Sequence, residues 1–275
     1  MYIRLEFSRG DKMKCLSHLD MMRTFGRAIR RSGIPISYTS GFNPHAQMVF
    51  GLPLQVGVTG DAEYLDIKVD EELREPGELG TSDAFDVLVH KLNANLPEGI
   101  AVNAARERTA KENIMSIITH ATYEMRVGLG ADIGWDDAGS RRDVCAALEW
   151  AVACFLLPGP RIVAKDSGAR TNRGSGNLQK SKKRHSKEAI RTIDLAPLVY
   201  ALEARGDILA MTVTAGSVNN VKPDLVLEAL NTTQKKLYKI SLHRKELLVE
   251  REGILYKPID IIICDTKKEA GNAYE

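Results

Sequence analysis

Apolar and polar positions along this chain repeat with two different periods, and their order predicts the fold. Short patterns typical of half-buried strands occur in nine segments, which cover residues 2–7, 35–39, 47–58, 62–69, 99–107, 121–129, 198–204, 208–215 and 236–244. Apolar residues spaced three and four positions apart predict four helices, over residues 17–32, 81–96, 140–156 and 223–231.

Both parts of the chain have the same element order. Each part follows strand–helix–strand–strand–helix–strand, which is the ferredoxin-like split pattern. We therefore predict an α+β protein with two ferredoxin-like βαββαβ modules side by side, the first in residues 1–112 and the second in residues 113–275. The duplication is one of element order, because no repeat of individual residues is visible.

Composition is that of a soluble globular chain. Hydrophobic residues make up 44% and charged residues 27% of the 275 positions, and the mean hydropathy is −0.21. No apolar run approaches the roughly 20 residues that a membrane span needs, and the first thirty residues contain no signal-peptide core. We expect a cytoplasmic protein that does not bind a membrane.

The cysteines form no metal-binding pattern. All four are scattered, with no C-x-x-C and no adjacent histidine cluster, at Cys15, Cys145, Cys154 and Cys264. Zinc-ribbon and iron–sulfur sites therefore have no support in the sequence. The chain also lacks the Gly-x-Ser-x-Gly, His-Glu-x-x-His and dinucleotide-binding patterns. We expect no cofactor, no metal and no standard hydrolase or dehydrogenase chemistry.

A net charge of +2 conceals two basic zones. Residues 1–60 hold eight Lys/Arg against three Asp/Glu, and residues 161–191 hold ten against two. Between them, residues 61–160 hold nine against nineteen. Because basic clusters attract polyanions, this segregation favours a nucleic-acid ligand.

The second basic zone contains a segment rich in Gly, Ser and Asn, residues 164–188. It cannot bury enough apolar surface to offset the entropy of ordering, so we predict a flexible insertion. Lys182, Lys183 and Arg184 within it are candidates for gripping a phosphate backbone. The alternative is a solvated loop without a task.

The first predicted helix separates apolar residues from arginines on a wheel at about 100° per residue. One side carries the apolar residues Leu19, Met22, Phe25, Gly26 and Ile29. The other side carries Asp20 and four arginines, Arg23, Arg27, Arg30 and Arg31. The guanidinium fork matches pairs of phosphate oxygens, so our hypothesis is that this side binds RNA or another polyphosphate. The alternative is a solvated basic face with a local contact of Asp20 with Arg23 or with Thr24.

Residues 32–60 contain no Asp, Glu, Lys or Arg. Within this stretch Phe42 can stack on an unpaired base, and Asn43 and His45 can supply polar groups. His18, in the first turn of the preceding helix, could meet His45 at one rim and act as a hydrogen-bond donor, a base or a ligand. The alternative for His18 is a histidine that only packs in the core. The alternative for the segment with Phe42, Asn43 and His45 is a turn whose residues only shape the backbone.

The segment SHLDMMRTFGRAIRRSGIPISYTSGFNPHAQMVFGLPLQVGV, residues 17–58, resembles the radical-SAM-linked domain of unknown function. Looser agreement returns at residues 123–126, 193–198, 222–227 and 242–247. In bacteria this family is found next to, or fused behind, a cobalamin-binding radical SAM protein, so the resemblance implies such a partner. It marks as site candidates the positions that match its motif, which are His18, Asp20, Arg23, Arg27, Arg30, Asn43, Pro44 and His45. The C-x-x-x-C-x-x-C of the radical SAM enzyme itself is absent here.

Element order also resembles the paired ferredoxin-like modules of the CRISPR RAMP proteins, which bind and sometimes cut RNA. This is a likeness of fold alone. Our first hypothesis is an RNA-binding accessory protein that presents a tRNA or an rRNA to a radical SAM enzyme. The second is a metal-independent endoribonuclease with His18 or His45 as the base. The third is a docking subunit of the radical SAM protein that binds no RNA.

Overall fold

The computed structural model describes residues 1–70, 82–108, 112–130, 138–165, 191–217, 219–231 and 237–261. The strands are β1 Tyr2–Arg9, β2 Met48–Phe50, β3 Thr59–Lys68, β4 Ile100–Glu107, β5 His120–Leu129, β6 Ile162–Lys165, β7 Arg191–Asp194, β8 Val199–Arg205, β9 Ile208–Thr214, β10 Leu237–Arg251 and β11 Ile254–Tyr256. The helices are α1 His18–Arg31, α2 Ser82–Asn93, α3 Ile114–Ile117, α4 Ala138–Leu156 and α5 Pro223–Leu230. The predicted α+β class is confirmed. No helix among the described residues is long and apolar enough to cross a membrane.

Nine of the described strands form one sheet. Its order is β4-β1-β3-β10-β5-β9-β8, with β2 beside β3 and β11 beside β10. In the first part of the chain β4, β1, β3 and β2 pair antiparallel in that order, and in the second part β10, β5, β9 and β8 do the same. A parallel pairing of β3 with β10 joins the two sets. Because all these strands share one sheet, the division into two ferredoxin-like modules stays a prediction.

Two hydrophobic clusters hold the helices against the sheet. Helices α1 and α2 contribute Phe25 and Leu92 to a cluster that includes Leu65 of β3. Helices α4 and α5 contribute Leu148 and Val226 to the other cluster. Burial of these side chains is the main favourable term in folding. The first cluster fixes α1 on the sheet and thereby turns its polar side outwards.

The predicted strands over residues 35–39 and 47–58 are wrong in extent. The first range forms only isolated bridges, and in the second only Met48–Phe50 is a strand. Pro53 has no backbone N–H to donate to a ladder. At Gly51 a Cβ would lie 2.8 Å from Ile118 Cδ1, so a larger residue there would require the Ile118 side chain to shift.

Two buried arginines hold residues 51–58 in this irregular path. Arg9 donates from Nε to the Val58 carbonyl oxygen at 3.2 Å, and Arg244 donates from Nη2 to the Leu52 carbonyl oxygen at 2.6 Å. Both side chains are 2% exposed. Burial lowers the pKa of Arg9. Burial also acts to lower the pKa of Arg244, but the carboxylate of Glu63 outweighs it and raises that pKa above its usual value.

The predicted flexible insertion, residues 164–188, lies outside the described residues except for its first two positions. Strands β6 and β7 pair antiparallel from Ile162 with Asp194 to Lys165 with Arg191, so residues 164 and 165 belong to a strand. The sequence missed this hairpin because each of its strands is only four residues long. Lys182, Lys183 and Arg184 lie outside the described residues.

Candidate nucleic-acid interface

Helix α1 begins and ends where its sequence predicts. The Ser17 side chain accepts a hydrogen bond from the Asp20 backbone N–H at 3.3 Å and donates to Asp20 Oδ2 at 2.7 Å. This N-cap satisfies an N–H group that the helix leaves free. Gly33 follows the helix with φ of 69°, a conformation that favours glycine. The 14 residues of α1 therefore form one continuous platform, about 20 Å long.

The four arginines of α1 are exposed, and we call them the arginine face: Arg23, Arg27, Arg30 and Arg31. Arg23 pairs with Asp20, with 3.3 Å between Nη1 and Oδ1. Arg27 donates to the Arg23 carbonyl oxygen at 3.2 Å, and Arg31 donates to the Asn95 carbonyl oxygen at 2.5 Å. Among the described residues, Arg23 is thus the one member of the face with a carboxylate partner.

The contact between Asp20 and Arg23 is the local contact that the alternative of a solvated face predicts. The hydrogen bond from the Ser17 hydroxyl lowers the pKa of Asp20 below its usual value, and Arg23 lowers it further. Asp20 is therefore ionised at neutral pH and neutralises one end of the face. The other three guanidiniums keep their charge available to an external anion.

A groove separates α1 from the end of α2. Thr24, Arg27 and Arg31 line one side, and residues 94–97 line the other. The Ser32 hydroxyl donates to the Lys91 carbonyl oxygen at 3.0 Å and holds the two helix ends together. An open groove with two guanidiniums on one wall can admit a phosphate group.

Leu19 is exposed, contrary to its predicted place on the apolar side of the helix. Its exposed fraction is 62%. The buried residues include Met21 and Ala28, so the buried side is rotated away from Leu19 relative to the predicted stripe. At 100° per residue, Leu19 lies about 20° from Arg30. The arginine face therefore includes one apolar side chain.

Residues 37–47 form a loop that presents the Gly-Phe-Asn-Pro-His motif. The Thr39 backbone N–H donates to the His45 carbonyl oxygen at 2.8 Å, and the His45 N–H donates to Thr39 Oγ1 at 3.0 Å. Gly41 has φ of 128° and allows the turn. Phe42 at the tip is fully exposed, at 112%. The remaining motif residues are exposed beside it: Asn43, Pro44 and His45.

The two candidate histidines do not meet. The ring of His18 packs edge-on against Phe50, with 5.4 Å between ring centroids. It also lines a small pocket with Arg9, whereas His45 lies exposed on the loop. In the described part of the chain no hydrogen bond or ring contact joins His18 to His45, so the predicted shared rim is not observed. Nor do three or more His, Cys, Asp or Glu residues in that part form a group suited to a metal ion.

Arg9 is a residue of this region that the sequence analysis missed. In β1 one face carries the buried residues Ile3, Leu5, Phe7 and Arg9, and Arg4 on the opposite face is buried as well. An arginine that continues an inward-facing series of apolar residues must find internal acceptors. The place of Arg9 in this apolar series is the sequence feature that could have identified it. Its acceptors are the carbonyl groups of Leu16, Gln55 and Val58.

Fold and candidate site together define a mixed α+β protein with an exposed arginine-bearing helix and an exposed loop that carries Phe42. The chain belongs to the family described as "Uncharacterized protein conserved in bacteria (DUF2344)", whose model matches residues 2–223. The predicted membership of a bacterial family of unknown function is confirmed. The association with a radical SAM protein and the likeness to RAMP proteins stay predictions.

Comparison with individual proteins adds little. No curated protein matches the chain. Among solved structures, a chain of "Crystal Structure of a Cbf5-Nop10-Gar1 Complex" matches with 10% sequence identity and a TM-score of 0.38. The match covers 88% of this chain and 48% of that one, so this chain spans about half of the other's length. A likeness at this level transfers no function.

Proposed function

We propose that this chain is an RNA-binding accessory protein that presents a structured RNA, a tRNA or an rRNA, to a radical SAM modification enzyme. The observation that carries the RNA part is the arginine face, where four guanidiniums are exposed on one side of α1. Only Arg23 among them has a carboxylate partner in the described residues.

The arginine face suits a phosphodiester backbone by its charge and spacing. From Arg23 to Arg31 the helix rises about 12 Å, so the guanidiniums can reach successive phosphates. Each planar fork binds two oxygens of one phosphate. The groove beside Arg27 and Arg31 offers one such group a partly enclosed position. Binding of this kind releases counterions and therefore weakens as salt increases.

The loop at residues 37–47 supplies contacts of a second kind. Phe42 is fully exposed and can stack on an unpaired base, an interaction that tolerates every base because each has a π-face. Asn43 and His45 beside it can donate to and accept from base edges. The arginine face would then provide most of the affinity, and the loop would provide local recognition.

The radical SAM partner is supported by the resemblance of residues 17–58 and by the lack of an iron–sulfur motif in this chain. A second candidate function is favoured by Leu19. Its exposed apolar side chain within the arginine face adds nothing to phosphate binding, but it suits a protein interface. In that case the face would dock the partner protein directly and bind no RNA.

Charge reversal on α1 tests the RNA proposal. We expect R27E/R30E to weaken binding of labelled tRNA, measured by fluorescence anisotropy at several salt concentrations. Loss of two phosphate contacts should reduce the slope of log K against log salt by about 1.4–1.8. The matched control is R141E/R142E on α4, which makes the same change in net charge at two exposed positions.

The RNA proposal fails if wild-type protein binds neither tRNA nor rRNA, or if both double variants lose affinity equally. The docking candidate predicts the opposite pattern. Co-purification with a cobalamin-binding radical SAM protein would survive nuclease treatment and would be lost in Leu19→Asp, while tRNA binding would be absent throughout.

A further inference from the structure

A hydroxyl, an imidazole and a carboxylate form a connected chain where β3 meets β10. Thr59 Oγ1 lies 2.7 Å from His243 Nδ1, and His243 Nε2 lies 3.1 Å from Asp61 Oδ2. Thr59 and His243 are direct partners in the parallel pairing of the two strands. We call these three residues the Thr59 relay. The RNA proposal makes no use of them.

The order of contacts determines where the protons lie. An ionised Asp61 can only accept hydrogen bonds, so neutral His243 carries its proton on Nε2. Nδ1 is then unprotonated and accepts a hydrogen bond from the Thr59 hydroxyl. This hydrogen-bond arrangement is the one in which an adjacent base activates a nucleophile. The two ring nitrogens exchange roles relative to the arrangement of serine proteases.

Lys245 keeps the Asp61 carboxylate ionised, as this hydrogen-bond arrangement requires. Its ammonium group donates to Asp61 Oδ2. Partial burial acts to raise the pKa of Asp61, but the hydrogen bonds from Lys245 and His243 outweigh it and lower that pKa below its usual value. Asp61 is therefore a permanent acceptor at neutral pH and holds the imidazole ring in one orientation.

The relay is open to solvent on the side away from the core. His243 lies between Leu242 and Arg244, which are buried, and neighbouring residues of a strand point to opposite faces. The side chain of His243 is 28% exposed and that of Asp61 is 51% exposed. A small substrate can therefore approach the relay, while the sheet holds both strands in place.

We propose that Thr59 is a nucleophile that takes an acyl group from a neutral carboxylic ester. Thr59 Oγ1 attacks the carbonyl carbon while its proton passes to His243 Nδ1. The C–O bond to the leaving alcohol breaks, the alcohol takes that proton, and an acyl ester remains on Thr59. Water attacks this ester and gives a proton to Nδ1, which returns it to Thr59 as the carboxylic acid leaves. His243 is the catalytic base, and Asp61 is a positioning residue.

Local charge favours an ester over a phosphodiester as the substrate. Asp61 contacts the imidazole, and Glu124 is the partner of His243 on the neighbouring strand β5. Lys245 and Arg205 offset part of this negative charge, but a phosphodiester would still bring a further negative charge close to the two carboxylates, which Coulomb repulsion opposes. An ester carbonyl is neutral and meets no such penalty. The relay therefore differs from the arginine face in its ligand as well as its position.

Acetylation by p-nitrophenyl acetate tests the proposal on the full chain. We expect a burst of p-nitrophenol of about one equivalent, and an acetyl group on the peptide that contains Thr59, detected by mass spectrometry. T59S should keep the burst, and T59V, similar in shape but without the hydroxyl, should abolish it. H243Q should slow acylation by about 10²-fold or more, since general-base catalysis is of this size. D61N should lower kcat for ester turnover more than it changes KM.

Ser241 provides the matched control, because it is an exposed hydroxyl on the same strand without an imidazole partner in the described structure. S241A should leave the burst unchanged. Circular dichroism melting should show that every variant compared is folded. The proposal is overturned if folded T59V retains the burst, if acetyl groups appear only on lysines, or if wild type shows no burst.

Discussion

The buried pair of Glu63 and Arg244 allows a quantitative prediction. Arg244 Nε donates to Glu63 Oε1 at 2.8 Å, and Nη2 donates to Oε2 of the same carboxylate. The side chains are 4% and 2% exposed. Glu63→Ala leaves a buried guanidinium without its counter-ion, and the loss of one partner of such a pair costs about 3–5 kcal/mol. That is a large part of the roughly 5–15 kcal/mol by which a domain is stable.

A double variant that removes both Glu63 and Arg244 separates the effect of the unpaired charge from the effect of the lost side-chain contacts. In E63A/R244M no buried charge of this pair remains, so the part of the penalty that comes from the unpaired Arg244 should disappear. Buried Arg9 still loses its favourable interaction with the Glu63 carboxylate. The partly buried Leu52 carbonyl oxygen loses the hydrogen bond that Arg244 donates at 2.6 Å, and a fully buried unsatisfied acceptor would cost about 1–3 kcal/mol, an upper bound here. We therefore expect E63A/R244M to be more stable than E63A, although less stable than wild type.

Urea denaturation followed by circular dichroism measures these differences. The control is Glu98→Ala, which removes the partner of Lys12 from an exposed pair, with side chains 81% and 64% exposed. Such pairs contribute little, so its midpoint should stay close to wild type. If E63A lost less than about 1 kcal/mol, or if the double variant were the less stable of the two, burial of this pair could not have the energetic role assigned to it.

Two further predictions concern single residues. Phe42→Ala should weaken RNA binding by about 1–3 kcal/mol through loss of stacking without changing the melting temperature, because the ring is fully exposed; unchanged anisotropy titrations would contradict a stacking role. Asp61 has its pKa lowered from the usual 3.8 by folding, so its contribution to stability is present above that value and is lost as the pH falls through the lower folded-state pKa. Asp61→Asn should therefore flatten the acid side of the stability curve, measured by urea midpoints between about pH 5 and pH 2, and an identical curve would show that the carboxylate does not carry this dependence.

Regular elements with complete patterns could be predicted from the sequence. The strand predicted at residues 121–129 is found as His120–Leu129, and the helix predicted over residues 17–32 is found as His18–Arg31. Residues 47–58 could not be predicted, because their path depends on Arg9 and Arg244, whose contacts are long-range. No local period shows that a carbonyl will be bound by a side chain almost two hundred residues away.

Part of the candidate site could also be predicted from the sequence. A wheel identifies the arginine face, because the period of a helix is local. The wheel itself sets Leu19 about 20° from Arg30, but the apolar character of Leu19 leads to its assignment to the buried side. Which side is buried depends on how α1 rests on the sheet. The Thr59 relay has no sequence motif at all. Thr59 and His243 are 184 positions apart, and only the pairing of β3 with β10 brings them together.

That pairing also explains why one strand junction can serve both stability and chemistry. His243 and Arg244 are consecutive and point to opposite faces of β10. On one face the ion pair of Arg244 with Glu63 fixes the junction, because a buried and doubly hydrogen-bonded pair has few alternative geometries. On the other face the backbone pairing of the two strands holds His243 opposite Thr59, so the His243 side chain does not need to pack in the core to stay in place. Preorganisation of a reactive group needs a rigid support. Here the buried ion pair of Arg244 with Glu63, although costly to desolvate, provides that support for the neighbouring residue His243.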